Sequence, residues 1–202
     1  MRLLITGFAA LVMFFPGCRK VHRAELFERC VAYSSRAKTV TRDEITCTVK
    51  RLSPEESYTL LGVDFPAEGI QPFSLELENN QKAPIYVSAQ SISAPLVSDA
   101  VIKDRMYTST YLIGGCASAV SLVYFWPLIP CAVLPGMYYC SGYNRSIDHF
   151  MQEYSLRAYE RSFCIMPREQ MVKLFFVYGW AVGASFDIGV MQENCCYTKF
   201  SY

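Results

Sequence analysis

Between Met106 and Asn144 the chain runs for 39 residues without one charged side chain. In a protein whose side chains are 18% charged, so long a gap commits the stretch to burial in protein or in lipid. Tyr107 to Trp126 has the length of one membrane span, and Tyr107, Tyr111, Tyr124 and Trp126 stand at its two ends as interfacial aromatics would. Small residues recur four apart at Gly114/Ser118, Gly115/Ala119 and Ala117/Ser121, a spacing that lets another helix approach closely. Pro127, Pro130 and Pro135 follow and are expected to break the helix. Leu128 to Tyr139 is too short to cross a bilayer a second time, so it reads as a re-entrant return. The segment 106–144 is therefore expected to form a hydrophobic helical hairpin, dipped in lipid or packed on protein. A single crossing would leave the segments before and after it on opposite sides of a membrane, each with unpaired strand edges. Residues 99 and 150 are thus expected on the same side.

The flanks of this segment have a different period. Ile45, Cys47 and Val49 alternate with Thr46, Thr48 and Lys50, and Phe73 to Glu78 repeats the alternation. Tyr58–Phe65, Ile85–Ile92, Ser162–Met166, Met171–Tyr178, Ala184–Met191 and Cys196–Tyr202 read as further short strands, with Pro66, Pro72, Pro84 and Pro95 at segment ends. Seven or eight short antiparallel strands suit an immunoglobulin-like β-sandwich. Ser146 is placed to cap an amphipathic helix over residues 146–161, with Asp148 in its first turn and Ile147, Phe150, Met151, Tyr154 and Ala158 as its apolar stripe. The expected class is α+β: a sandwich over residues 44–202, interrupted by the hydrophobic hairpin and this helix.

The N-terminus narrows the location. Hydrophobic residues make up 52% of the chain, above the soluble average of about 45–50%. Arg2 precedes an uncharged run from Leu3 to Phe15, which as a helix covers only about 20 Å, less than a bilayer core. A basic start, a short apolar run and a Pro-Gly break describe an export signal over residues 1–17. The sequence Phe15, Pro16, Gly17, Cys18 resembles the lipobox of bacterial lipoprotein precursors, with Phe15 where that family usually carries Leu. The resemblance covers the first 18 residues. It implies that Cys18 is acylated and becomes the new N-terminus, and that Arg19, in place of a retention Asp, sends the protein to the outer membrane, facing the periplasm. An ordinary cleaved signal followed by a chance cysteine is the alternative. Residues 18–43 then read as a tether, with a short helix around Leu26, Phe27, Cys30 and Val31.

Nothing in the sequence points to a reaction. The formal charge of +1 excludes a basic nucleic-acid binder. The two histidines, His22 and His149, have no local context for a Cys–His pair, and His149 faces away from the apolar stripe of its helix. The nine cysteines, at 18, 30, 47, 116, 131, 140, 164, 195 and 196, contain no CxxC, so no zinc site is expected. Among the eight beside Cys18, at least one disulfide is expected in an exported protein. No catalytic residue, cofactor or metal ligand is assigned. Three classes of function remain. The first is a non-enzymatic, lipid-anchored envelope protein with a structural or partner-binding role, its contacts being membrane lipid through Cys18 and residues 106–144 and an unknown protein. The second is a membrane-active component of a secretion or pore assembly that uses 106–144. The third is an enzyme assembled from scattered residues.

Overall fold

The computed structural model describes residues 37–107, 129–157, 162–183, 185–192 and 197–202, with backbone alone for 129–140. Its first element, β1 (Ala37–Arg42), pairs antiparallel with β2 (Ile45–Arg51). Residues 37–42, read above as the end of the tether, thus belong to the folded domain. The turn between the strands is Asp43–Glu44, with φ of 49° and 59°. Two consecutive left-handed residues make the tight hairpin turn whose twist suits the flanking strands.

A helix comes next. The segment around Tyr58, read as a strand, is instead split between α1 (Pro54–Leu61) and a 3-10 turn, Pro66–Glu68. Local chemistry decides this. Ser53 Oγ accepts the Glu56 amide at 3.2 Å while Glu56 Oε2 accepts the Ser53 amide at 2.8 Å. Pro54 opens the helix, where its missing N–H costs nothing, and Gly62 ends it at φ 77°. Lys50, almost wholly buried on β2, pairs with Glu56 at 2.8 Å and ties the capped end to the sheet.

The remaining elements are β3 (Ile70–Asn79), β4 (Ile85–Val87), α2 (Asp99–Met106), α3 (Ile129–Tyr154), β5 (Phe163–Ile165), β6 (Gln170–Tyr178), β7 (Asp187–Gln192) and β8 (Tyr197–Ser201). The fold is α+β. The strands form two four-stranded antiparallel sheets, ordered β1-β2-β3-β6 and β5-β4-β7-β8. Inward residues of both meet in one core: Ile45, Cys47, Leu75 and Leu77 from the first, Ile85, Ile188, Val190 and Phe200 from the second. Phe73, Phe175 and Phe186 form an aromatic knot there, with centroids 5.2–5.9 Å apart. The opposite face of the first sheet carries a second core, in which Leu174 and Phe176 meet Leu60, Phe65, Ile102, Ile147 and Met151 from the helical layer.

The two sheets also join at one edge. Lys38 Nζ and Arg42 Nη1 of β1 donate to the carbonyls of Ser201 and Lys199 at 3.2 and 2.7 Å, and the Tyr202 hydroxyl donates to the Cys47 carbonyl at 2.9 Å. Phe186 and Tyr202 exchange both backbone bonds, so by alternation the Lys199 and Ser201 carbonyls face away from β7. The cationic side chains of β1 cover these acceptors, which would otherwise invite another strand.

Pro72 lies inside β3 rather than at a segment end. Its carbonyl accepts the Leu52 amide at 3.1 Å, but it has no N–H to return to the Leu52 carbonyl. The buried Gln71 side-chain amide takes that place, donating to Leu52 O at 2.8 Å and Pro72 O at 3.0 Å.

Helix α3 differs most from expectation. It runs 26 residues from Ile129 rather than from Ser146 to Arg161. Pro130 falls in its first turn, where the missing N–H has no partner to lose, and Pro135 follows soon after the start. Ser146 lies mid-helix, its hydroxyl donating to the Tyr143 carbonyl three residues back at 2.6 Å, so it caps nothing. The helix ends at Tyr154 because the chain then turns to β6, where Leu156 N donates to Leu174 O at 2.8 Å. The apolar stripe is as expected at Ile147, Phe150, Met151 and Tyr154; Ala158 lies outside the described residues.

Candidate functional site

The two ends of the uncharged segment meet on the outer face of the first sheet. Ile102 and Met106 of α2 pack with Ile147, Phe150 and Met151 of α3 in the helical core. Above this apolar seat, Asp148 Oδ1 receives Lys103 Nζ at 2.8 Å and the Tyr107 hydroxyl at 2.5 Å. The hydrogen bonds from Lys103 and Tyr107 hold the Asp148 carboxyl below its ordinary range. Desolvation and then the facing carboxylate push the Tyr107 hydroxyl up to about 12. At neutral pH the site is therefore an anion receiving a cation and a neutral phenol. Just beyond the end of α3, Ser155 Oγ donates to Asp99 Oδ1 at 2.8 Å, and burial raises the Asp99 carboxyl.

This arrangement ties the two helices at the ends of the uncharged segment together. It holds Tyr107 and α3 together by one carboxylate and one apolar patch, so Asp99 and Phe150 sit in a single folded unit. Residues 108–128, which include the expected span, lie outside the described residues. Among the described residues no helix is long and apolar enough to cross a membrane. Asp148, read as a first-turn residue of a helix starting at Ser146, belongs to the interior of α3 and acts as the acceptor of this latch.

The other candidate residues are not brought together. Cys18 and His22 lie outside the described residues. His149 is exposed on α3, in the helical layer, whereas Cys47 is buried in the core between the sheets, on the other side of the first sheet. Burial pushes the Cys47 thiol up to about 12, which leaves it protonated and unreactive. Cys47 and Cys164 are both free thiols; the side chains of Cys30, Cys116, Cys131, Cys140, Cys195 and Cys196 lie outside the described residues. Among the described residues no three His, Cys, Asp or Glu side chains approach closely enough to hold a metal ion.

One concavity, of about 360 Å³, lies beside the 3-10 turn Ala89–Ser91 and is lined by Ser88, Gln90, Ala94, Leu96 and Arg157. Arg157 Nη1 donates to the Leu96 carbonyl at 3.1 Å, so the guanidinium is fastened to the wall rather than aimed freely into the space. Sequence reading missed both this wall and the Lys103–Tyr107–Asp148 latch. The latch joins residues 41 apart across the uncharged segment, a separation for which no local pattern exists. No family model, curated protein or solved structure matches the chain.

Proposed function

We propose that the chain is a non-enzymatic, lipid-anchored protein of a bacterial envelope, whose two-sheet domain serves a structural or partner-binding role at the membrane surface. The observation that carries this reading is the latched root: both ends of a segment suited to an apolar environment are fixed to one face of one folded domain. A segment held in this way leaves and re-enters on one side, as a membrane-dipping hairpin beside an acylated Cys18 would. Two acyl chains, each buried methylene contributing about 0.8 kcal/mol, would supply stable attachment. The layering of two four-stranded sheets around one core supports an immunoglobulin-like sandwich as the scaffold, and the signal-like residues 1–17 support export to the outer membrane. A disulfide in the exported protein would draw on the six cysteines other than Cys18, Cys47 and Cys164.

Metabolic labelling with a tagged fatty acid, followed by membrane fractionation, tests the reading. The wild type is expected to carry label in the envelope fraction, and Cys18→Ser to carry none. Equal labelling of both refutes it. The second reading, a membrane-active component of a secretion or pore assembly, rests on the same uncharged segment. Leakage of vesicles containing the purified chain would favour it.

A further inference from the structure

We propose that the turn at the end of β6 is a separate lipid contact, with Trp180 and Tyr178 seated in the headgroup region of the bilayer; this rests on the membrane reading above. Trp180 is 79% exposed and Tyr178 38%, and their rings stack with centroids 6.2 Å apart and planes 19° apart. An indole left in water forfeits the burial of the largest apolar side chain, so its display calls for an occupant. The display is built into the backbone. Gly179–Ala181 forms a 3-10 turn closed by Val182 N donating to Gly179 O at 3.3 Å, and the Gly179 amide donates to the Gly69 carbonyl at 2.6 Å. Ala181 is buried in the core and Val182 packs against it, which leaves Trp180 pointing outward from a pinned turn.

Position selects lipid as the occupant. Gly69 follows Glu68, whose carboxylate pairs with Arg105 at 3.1 Å, two residues before Tyr107, where the uncharged segment departs. The aromatic turn and the root of that segment therefore lie at the same end of the domain. From Leu174 to Phe186 the chain carries no charge, so the turn can enter an interface without desolvating an ion. Glu68 and Arg105, the charges that bridge the two features, neutralise each other. Trp and Tyr are the side chains that prefer this depth, with an apolar ring and one polar edge. Together, acylated Cys18, residues 106–144 and this turn would fix the tilt of the domain, not merely its attachment.

The chain has two tryptophans, so Trp126→Phe leaves Trp180 as the single indole. The full acylated chain carrying this substitution would be reconstituted in phosphatidylcholine vesicles, with or without lipids brominated near the headgroup or near the chain end. The proposal expects strong quenching by the shallow bromine, weaker quenching by the deep one, and several-fold lower access to aqueous iodide than in the urea-unfolded chain. A chain carrying both Trp126→Phe and Trp180→Phe, which has no indole, sets the background emission. If the chain floats with vesicles but Trp180 stays open to iodide and insensitive to bromine, the inference fails while the membrane reading stands. Shielding from both quenchers would mean that protein covers the turn, and would also overturn it. A chain that does not float with vesicles refutes the membrane reading and this inference with it.

Discussion

Replacing Gln71 by Ala should destabilise the domain through a carbonyl 19 residues away in sequence. Leu52 and Pro72 stand opposite each other just beyond the last paired residues of β2 and β3, and proline supplies only one of the two bonds such a pair exchanges. Gln71 Nε2 supplies the other. Among the described residues it is the sole donor to Leu52 O, and both residues are essentially without solvent contact. Truncation leaves that acceptor unpaired, at a cost of about 1–3 kcal/mol, and removes one buried methylene worth about 0.8 kcal/mol. Arg51 Nε, which donates to Gln71 Oε1 at 2.7 Å, is half exposed to water and adds little. The expected loss is thus about 2–4 kcal/mol, read as a shift of the urea midpoint for the full chain in mild detergent. The cause can be isolated. Pro72→Ala restores an N–H facing Leu52 O, so Gln71→Ala should cost at least about 1 kcal/mol less in that background than in the wild type. Equal penalties in the two backgrounds, within about 0.5 kcal/mol, would refute the assignment.

Gly179→Ala would place a Cβ 2.8 Å from the Gly69 carbonyl oxygen and 3.0 Å from its carbon, both backbone, so a loss of about 1–3 kcal/mol is expected in the same denaturation assay. Iodoacetamide at pH 8 should modify Cys164 in the native chain and spare Cys47, whose thiol is buried and raised; mass spectrometry of tryptic peptides reads both, and rapid Cys47 labelling would contradict its place in the core. The Lys103–Asp148 pair should loosen only in acid. Its carboxyl lies below the ordinary value when folded, so its contribution is complete above about pH 4 and lost as the pH falls through the lowered value. At this half-exposed site the loss is at most about 1 kcal/mol, and Asp148→Asn should flatten that part of the stability–pH curve.

The strands of the two sheets were the most legible part of this chain, because one-sided burial writes a period of two into residues such as Ile45, Cys47 and Val49. The segment before Phe65 misled for the opposite reason. Leu60 and Leu61 form a short apolar run that suits strand or helix equally, and the deciding signal was the Ser53–Glu56 capping box several residues upstream. β1 escaped because its residues are mostly exposed and its turn is Asp-Glu rather than a glycine-containing pair. Pro130 reads as a break when a helix is placed before it; for a helix that begins at Ile129 it is a starting residue. Of the candidate site, the stripe on α3 is readable, whereas the acceptor role of Asp148 requires knowing that α3 packs beside Tyr107.

Strand β6 shows why the uncharged segment cannot be regarded as an ornament on a finished sandwich. Leu174, Phe175, Phe176 and Val177 are all buried, which a strand with one wet face would not allow. Phe175 and Val177 face the second sheet, while Leu174 and Phe176 face the helices. The first sheet is therefore the middle of three layers, and the layer outside it includes α2 and α3, which contain the two ends of the uncharged segment. Ser155 bridges to Leu174 and to Asp99, and Leu156 bonds to Leu174 in the same place. Strain on either helix passes through the latch and these bonds into β6, the last strand of the first sheet. A domain built in this way holds Met106 and Ile147, from the two helices at the ends of the uncharged run, in one core with Leu174 and Phe176 of β6, so a change at either helix is felt in the sheet.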